Sequence, residues 1–104
     1  MPDTPMSEIP MSEIKDNPAQ CRFELVVDGR IAFVVYRRQP PSILLLHAEV
    51  PPELEGRGIG SKLVAATLDA LRQESLDESL KVVPRCPFIA AFIRKHPAYA
   101  DMLA

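Results

Sequence analysis

Period-two alternation marks where the foldable part of this chain begins. Over residues 21–27, Cys21, Phe23, Leu25 and Val27 alternate with Arg22, Glu24 and Val26, the pattern of a strand with one buried face. Asp28-Gly29 follows, a pair suited to the positive-φ positions of a two-residue hairpin, and a second strand runs over 31–37. Pro40-Pro41 breaks the chain. Residues 42–50 form a third strand, apolar on both faces over 43–46, as expected at the centre of a sheet. The period then changes. Over 59–75, Leu63, Val64, Leu68 and Leu71 recur at helical spacing, while Ala65, Ala66 and Ala70 are small enough for close packing on a sheet. A short strand over 80–83 belongs beside the central strand, because a strand–helix–strand crossover favours parallel pairing. Pro84 and Pro87 bracket the next turn. A helix over 87–95 places Phe88, Ile89, Phe92 and Ile93 on one side, and 97–103 adds a helical turn. The order is βββαβα, an α+β fold with a mixed sheet and helices packed on it.

The first nineteen residues do not share this patterning. They hold four of the eleven prolines and a near repeat, MSEIP then MSEIK. Scattered prolines and acids with few apolar residues do not offset the entropy of ordering, so 1–19 is expected to be a disordered arm and 20–104 a single domain. The 47% apolar content suffices for one modest core. Charge divides the same way: the arm carries −3 of a net charge of −2, leaving the remainder at +1. No extended basic surface is expected, and so no nucleic-acid partner. No apolar run reaches the length of a membrane span, and the amino terminus lacks a basic start followed by an apolar core. No membrane partner and a cytoplasmic setting are therefore expected. Two cysteines make no disulfide framework, and with two histidines they show no metal-ligand spacing. The short edge strand gives little basis for dimerisation, so a monomer is expected.

The densest chemistry lies in 47–62, HAEVPPELEGRGIGSK. Gly56, Gly58 and Gly60 lead from a strand into a helix. Glycines there let a ligand approach the backbone, and the unpaired N–H groups of the first helical turn favour an anion such as a phosphate or pyrophosphate. A dinucleotide fingerprint fails, because Ser61 and Leu63 stand where its third glycine would fall. A nucleotide-triphosphate loop also fails, because the order is Gly60, Ser61, Lys62. An ordinary glycine-rich strand-to-helix turn is the structural alternative.

The spacing resembles motif A of the GNAT superfamily of N-acetyltransferases, Gln/Arg-x-x-Gly-x-Gly/Ala. Gly58 and Gly60 match it, Arg57 lies between the outer two glycines, and Glu55 stands where the family usually has Gln or Arg. The resemblance continues through KVVPRCPFIAAFIRKHPAY (81–99), similar to a short, cysteine-bearing branch in which Val-x-Pro-x-Cys-Pro-Phe and a later His-Pro recur. It covers about 22–103. It implies a compact GNAT-like, acetyl-CoA-binding fold without the usual amino-terminal helices, and acetyl-CoA (coenzyme A) as co-substrate. The implied activity is N-acetyl transfer to an amine, either a small molecule or a protein lysine. A non-catalytic acetyl-CoA-binding protein is the alternative, and an interaction domain without cofactor is a third class.

By the same resemblance, the backbone of Ala48 and Val50 would hold the pantetheine. Arg57, Gly58, Ile59, Gly60, Ser61 and Lys62 would form the phosphate cradle, and a backbone N–H near Val50 would stabilise the oxyanion. Glu49 is the candidate general base. His47 lies on its face about 7 Å along the strand, to act instead or to hold a water. Cys86 precedes Pro87 at a helix start with Arg85 beside it, a setting that favours a reactive thiol. It would contact the cofactor's sulfur end or accept acetyl transiently, with plain burial as the alternative. His96 lies about 15 Å along the helix from Cys86, so helix capping is its expected role. Where relatives carry a tyrosine acid this chain reads Phe92-Ile93, with Tyr99 the only nearby phenol. Cys21 is expected to be packing.

Overall fold

A computed structural model describes residues 14–74 and 80–103. Five strands form one sheet in the order β1 (Ile14–Asn17), β2 (Arg22–Val27), β3 (Arg30–Gln39), β4 (Ser42–Glu49) and β5 (Lys81–Pro84). The first four pair antiparallel, and β5 lies parallel to β4. Helix α1 (Ile59–Glu74) connects them, and α2 (Pro87–Lys95) follows β5.

The alternation read in the sequence becomes one covered face. Phe23 lies opposite Val34, Leu25 opposite Ala32, Tyr36 opposite Leu45 and Ile43 opposite Val82, all buried. Leu63, Val64, Leu68 and Leu71 of α1 join Ile89, Phe92 and Ile93 of α2 in the same core. The Asp28-Gly29 turn has φ values of 52° and 76°, which lets Val27 pair directly with Arg30.

Three points depart from the sequence expectations. Residues 14–17, assigned to the disordered arm, form the edge strand β1, so the order is ββββαβα; residues 1–13 lie outside the described residues. Composition misread this segment because its acid has a structural use. Asp16 accepts a hydrogen bond from the Tyr36 hydroxyl at 2.5 Å and pairs with Arg38 at 3.4 Å, while Ile14 packs on the core. The second departure is the other face of the sheet. Leu44 is half-buried and Leu46 exposed, and at the hairpin end of the same face Val26 and Ile31 are exposed, so among the described residues no helix covers that side. Apolar residues on both sides of a central strand did not require two covered faces.

The third departure is a β-bulge. Tyr36 pairs with Leu45 but Val35 pairs with His47, leaving Leu46 as an extra residue in β4. Unbroken alternation would have sent His47 and Glu49 to the side of Ile43 and Leu45. The bulge resets the parity, so Ala48 faces the core opposite Val34, and His47 and Glu49 face the open side.

The carboxy-terminal segment is bolted to α1. Arg72 donates both guanidinium arms to Asp101, at 3.0 and 3.1 Å, and also to the Ala98 carbonyl at 2.9 Å. The Tyr99 hydroxyl donates to Asp69 at 3.0 Å, and Met102 is buried. This is a six-residue 3-10 helix, Pro97–Met102, which the sequence read as a helical turn.

Burial, reinforced by Asp16, pushes the ionisation of Tyr36 up to about 12. Burial and Asp69 raise Tyr99 as well. Tyrosines of the unfolded chain ionise near their ordinary value of about 10. The stability these groups contribute is therefore complete below about pH 10 and is lost as pH rises towards 12. Spectrophotometric titration of the two tyrosines should show tyrosinate appearing above pH 10, alongside loss of far-ultraviolet dichroism. Half-ionisation of both at pH 10 with the fold intact would contradict this.

Candidate active site

β4 outruns its parallel neighbour. Pairing ends with Leu45 opposite Pro84, and the Leu45 carbonyl then accepts from the Arg85 and Cys86 N–H groups at 2.9 and 3.2 Å. There the chain turns away into α2. From Leu46 onward β4 pairs only with β3, and its other edge opens beside α2.

The glycine turn lies past that open edge. Gly56 and Gly58 have φ of +83° and +73°, the left-handed region that side chains other than glycine rarely adopt. Gly60 serves a different purpose. A Cβ there would stand 3.1 Å from Cζ of Phe88 and 3.7 Å from Cγ2 of Val50. The first turns of α1 and α2 thus meet across a position that has no side chain. Lys62 N–H bonds back to the Gly58 carbonyl at 3.2 Å, and the N–H groups before it lie at the helix end, where no acidic side chain occupies the first turn.

A cavity of about 470 Å³ joins these parts. Ala48 and Val50 form its strand side, Gly58, Gly60 and Ser61 its turn side, and Phe88 closes it from α2. Ile59 contributes to the lining although its side chain belongs to the core. Of the expected cofactor contacts, Arg57 and Lys62 do not line the cavity. Arg57 instead donates to Asp28 at 2.8 Å, tying the glycine turn to the β2–β3 hairpin. Cys86 does not line it either. Its thiol is buried in the core, two residues before Phe88.

His47 and Glu49 stand together on the open face, with Nε2 of the ring 3.1 Å from Oε1 of the carboxylate. A carboxylate only accepts, so Nε2 carries the shared hydrogen, and in the neutral ring Nδ1 is the free basic nitrogen. Phe33 lies opposite Glu49 and Val35 opposite His47. Arg22 sits 4.4 Å over the Phe33 ring and pairs with Glu24 at 2.6 Å. That bond, with one from Asn17, holds the Glu24 carboxyl below its ordinary range. His96 caps α2 as expected: Nδ1 donates to the Phe92 carbonyl at 2.8 Å, and the ring stacks on Phe92. Tyr99 is committed to Asp69. Cys21 is exposed in the β1–β2 turn rather than packed.

A model of the GCN5-related N-acetyltransferase family matches residues 22–102, from β2 through the 3-10 helix. The chain belongs to this family. Its five-stranded mixed sheet with packed helices is the α+β GNAT-like fold. GNAT proteins generally use acetyl-CoA, and membership supports an acyltransferase-type function. Comparison with curated proteins gives no match. Among the described residues no helix is long and apolar enough to cross a membrane.

Sequence reasoning missed Phe88 as a wall of this cavity. The available signal was phase: Ile89, Phe92 and Ile93 are buried along the stripe of α2, whereas Phe88 lies at its margin and is 46% exposed.

The two kinds of glycine predict different costs. Gly58→Ala should lose about 1–2 kcal/mol from its left-handed backbone, although nothing crowds the new Cβ. Gly60→Ala should cost less, because the exposed Phe88 ring can swing aside, and its cost should vanish in a Phe88→Ala background. Thermal denaturation of the single and double variants reads both effects. A larger loss at Gly60, independent of residue 88, would refute this division.

Proposed function

We propose that this protein is an acetyl-CoA-dependent N-acetyltransferase that acts, as a monomer, on a primary amine. The carrying observation is the cavity in which the unpaired edge of β4, the glycine turn and the first turn of α2 meet. Bare backbone at Gly58 and Gly60 and the helix-end N–H groups suit a pyrophosphate, with Ser61 on the lining and Lys62 beside it. Ala48 and Val50 offer backbone groups to the pantetheine, with the Val50 N–H as the donor to a thioester carbonyl.

Bound acetyl-CoA supplies an acyl carbon activated as a thioester. The protein's part is to hold that carbon and to manage the proton of the attacking amine. Glu49 attracts the ammonium, and the free Nδ1 of His47 accepts its proton. As the amine nitrogen bonds to the acyl carbon the carbon–sulfur bond breaks, and the second proton lost from that nitrogen passes through water to the departing thiolate. The buried Cys86 then has a packing role at the start of α2 rather than a covalent one. A non-catalytic acetyl-CoA-binding protein is the second reading. It is favoured by the phenol count: Tyr99 is bonded to Asp69, and Phe92 and Ile93 are buried where relatives place an acid.

Calorimetric titration with acetyl-CoA, with free CoA alongside, should give one site per chain, and Gly58→Glu should abolish it in a folded protein. Absence of heat at millimolar ligand would remove both readings. Glu55 lines the cavity with a carboxylate where the motif usually has Gln or Arg. Glu55→Gln should therefore tighten acetyl-CoA several-fold, by removing a screened repulsion on the order of 1 kcal/mol. With an accepted amine, Glu49→Gln or His47→Asn should lower kcat by about 100-fold with acetyl-CoA affinity unchanged. Unchanged turnover in both would remove the proton-handling role of His47 and Glu49, whereas binding of acetyl-CoA without turnover of any amine would leave the binding reading.

A further inference from the structure

A second concavity lies at the rim of the open face, where Tyr36 also reaches its lining. This cavity of about 560 Å³ lies in the notch between the β1–β2 turn and the bulged part of β4. Pro18 and Cys21 form one side, Val35, Arg37 and Arg38 the floor and far end, and Leu46 the other side. Val35 is the cross-strand partner of His47, and Leu46 is its neighbour in the chain. The notch therefore opens directly beside the His47–Glu49 pair.

Its charges are ordered along the strands. Glu49 is exposed, with His47 as its hydrogen-bond partner. Next come the apolar surfaces of Val35 and Leu46. Arg37 follows, two residues beyond Val35 on the same face and so about 7 Å along β3, with no ion pair of its own among the described residues. Arg38 lines the end of the notch too, although it pairs with Asp16 and sits over the Tyr36 ring. Arg22, the cross-strand partner of Val35 on this face, is paired with Glu24 at 2.6 Å, so those two charges satisfy each other and Arg37 is the cation left to a ligand. The sequence of negative, apolar and positive surface is the complement of an aliphatic chain with an ammonium at one end and an anion at the other.

We propose, resting on the acetyltransferase reading, that the acceptor is a small ω-amino carboxylate. Glu49 and His47 receive its amine, Val35 and Leu46 its methylene chain, and Arg37 its carboxylate. A plain alkylamine gains the first two contacts and forfeits the third.

The test compares 6-aminohexanoate with hexylamine in two measurements on the full chain. In steady-state acetylation, 6-aminohexanoate should be preferred by about 10-fold in kcat/KM, the worth of a charged hydrogen bond. Arg37→Gln should erase that preference by raising KM for the amino acid alone, with acetyl-CoA affinity unchanged. Equal use of the two amines, or an equal loss of both in Arg37→Gln, overturns the proposal, as does turnover of lysine in an acidic peptide but not of the free amino acid. The second measurement is nuclear magnetic resonance titration of the protein with each amine, with and without CoA. Selective shifts at Val35, Leu46 and His47 with 6-aminohexanoate, absent in Arg37→Gln, support the proposal; their absence overturns it. Failure of acetyl-CoA to bind removes the acetyltransferase reading, whereas failure of this titration removes the acceptor assignment.

Discussion

One extra residue in β4 and the early end of β5 together decide where chemistry is possible in this fold. A strand inside a sheet normally has both edges hydrogen-bonded and a fixed alternation of side chains. At Leu45 the outer edge gives its last carbonyl to two N–H groups of the departing chain, and at Leu46 the alternation slips by one. The four residues that follow combine features a regular strand does not: backbone open to a ligand on one edge, Ala48 still anchored in the core, and a polar pair turned outward. The glycine turn and α2 are arranged around that segment.

The three glycines differ in their demands although they look equivalent in the sequence. Gly56 and Gly58 are fixed by backbone conformation, because the chain must pass through the left-handed region to leave the strand and enter α1. Gly60 is fixed by what lies above it, the ring of Phe88. A motif read as a phosphate cradle thus also sets the distance between two helices.

Four of the five strands and both helices were legible because periodicity and turn chemistry agreed: Phe23 and Leu25 alternate, Asp28-Gly29 turns, and Leu63, Leu68 and Leu71 recur. The family was legible from the glycine motif and residues 81–99. β1 was not legible, since Ile14 gains its burial, and Asp16 its partners Tyr36 and Arg38, from parts of the chain distant in sequence. The bulge was hidden for the same reason, being a property of registry with β3 and not of the residues 42–50. Burial of Cys86 followed from core packing that the favourable helix-start position did not reveal. Pairing of Arg57 with Asp28 and of Tyr99 with Asp69 likewise joins residues about thirty positions apart.

The tail that clasps α1 also reaches the sheet. Leu103 forms a parallel bridge to Val82, and Lys81 donates to the Asp101 carbonyl at 3.2 Å, so the outer margin of β5 is already occupied by the chain's own backbone. The opposite margin, β1, is four residues long and presents Lys15 and Asp16. Short, charged or covered margins are how sheet proteins avoid joining edge to edge. Among the described residues the sheet thus has a bare face but two blunted rims. Such rims disfavour the addition of a strand from another chain and leave the face as the surface open to another molecule.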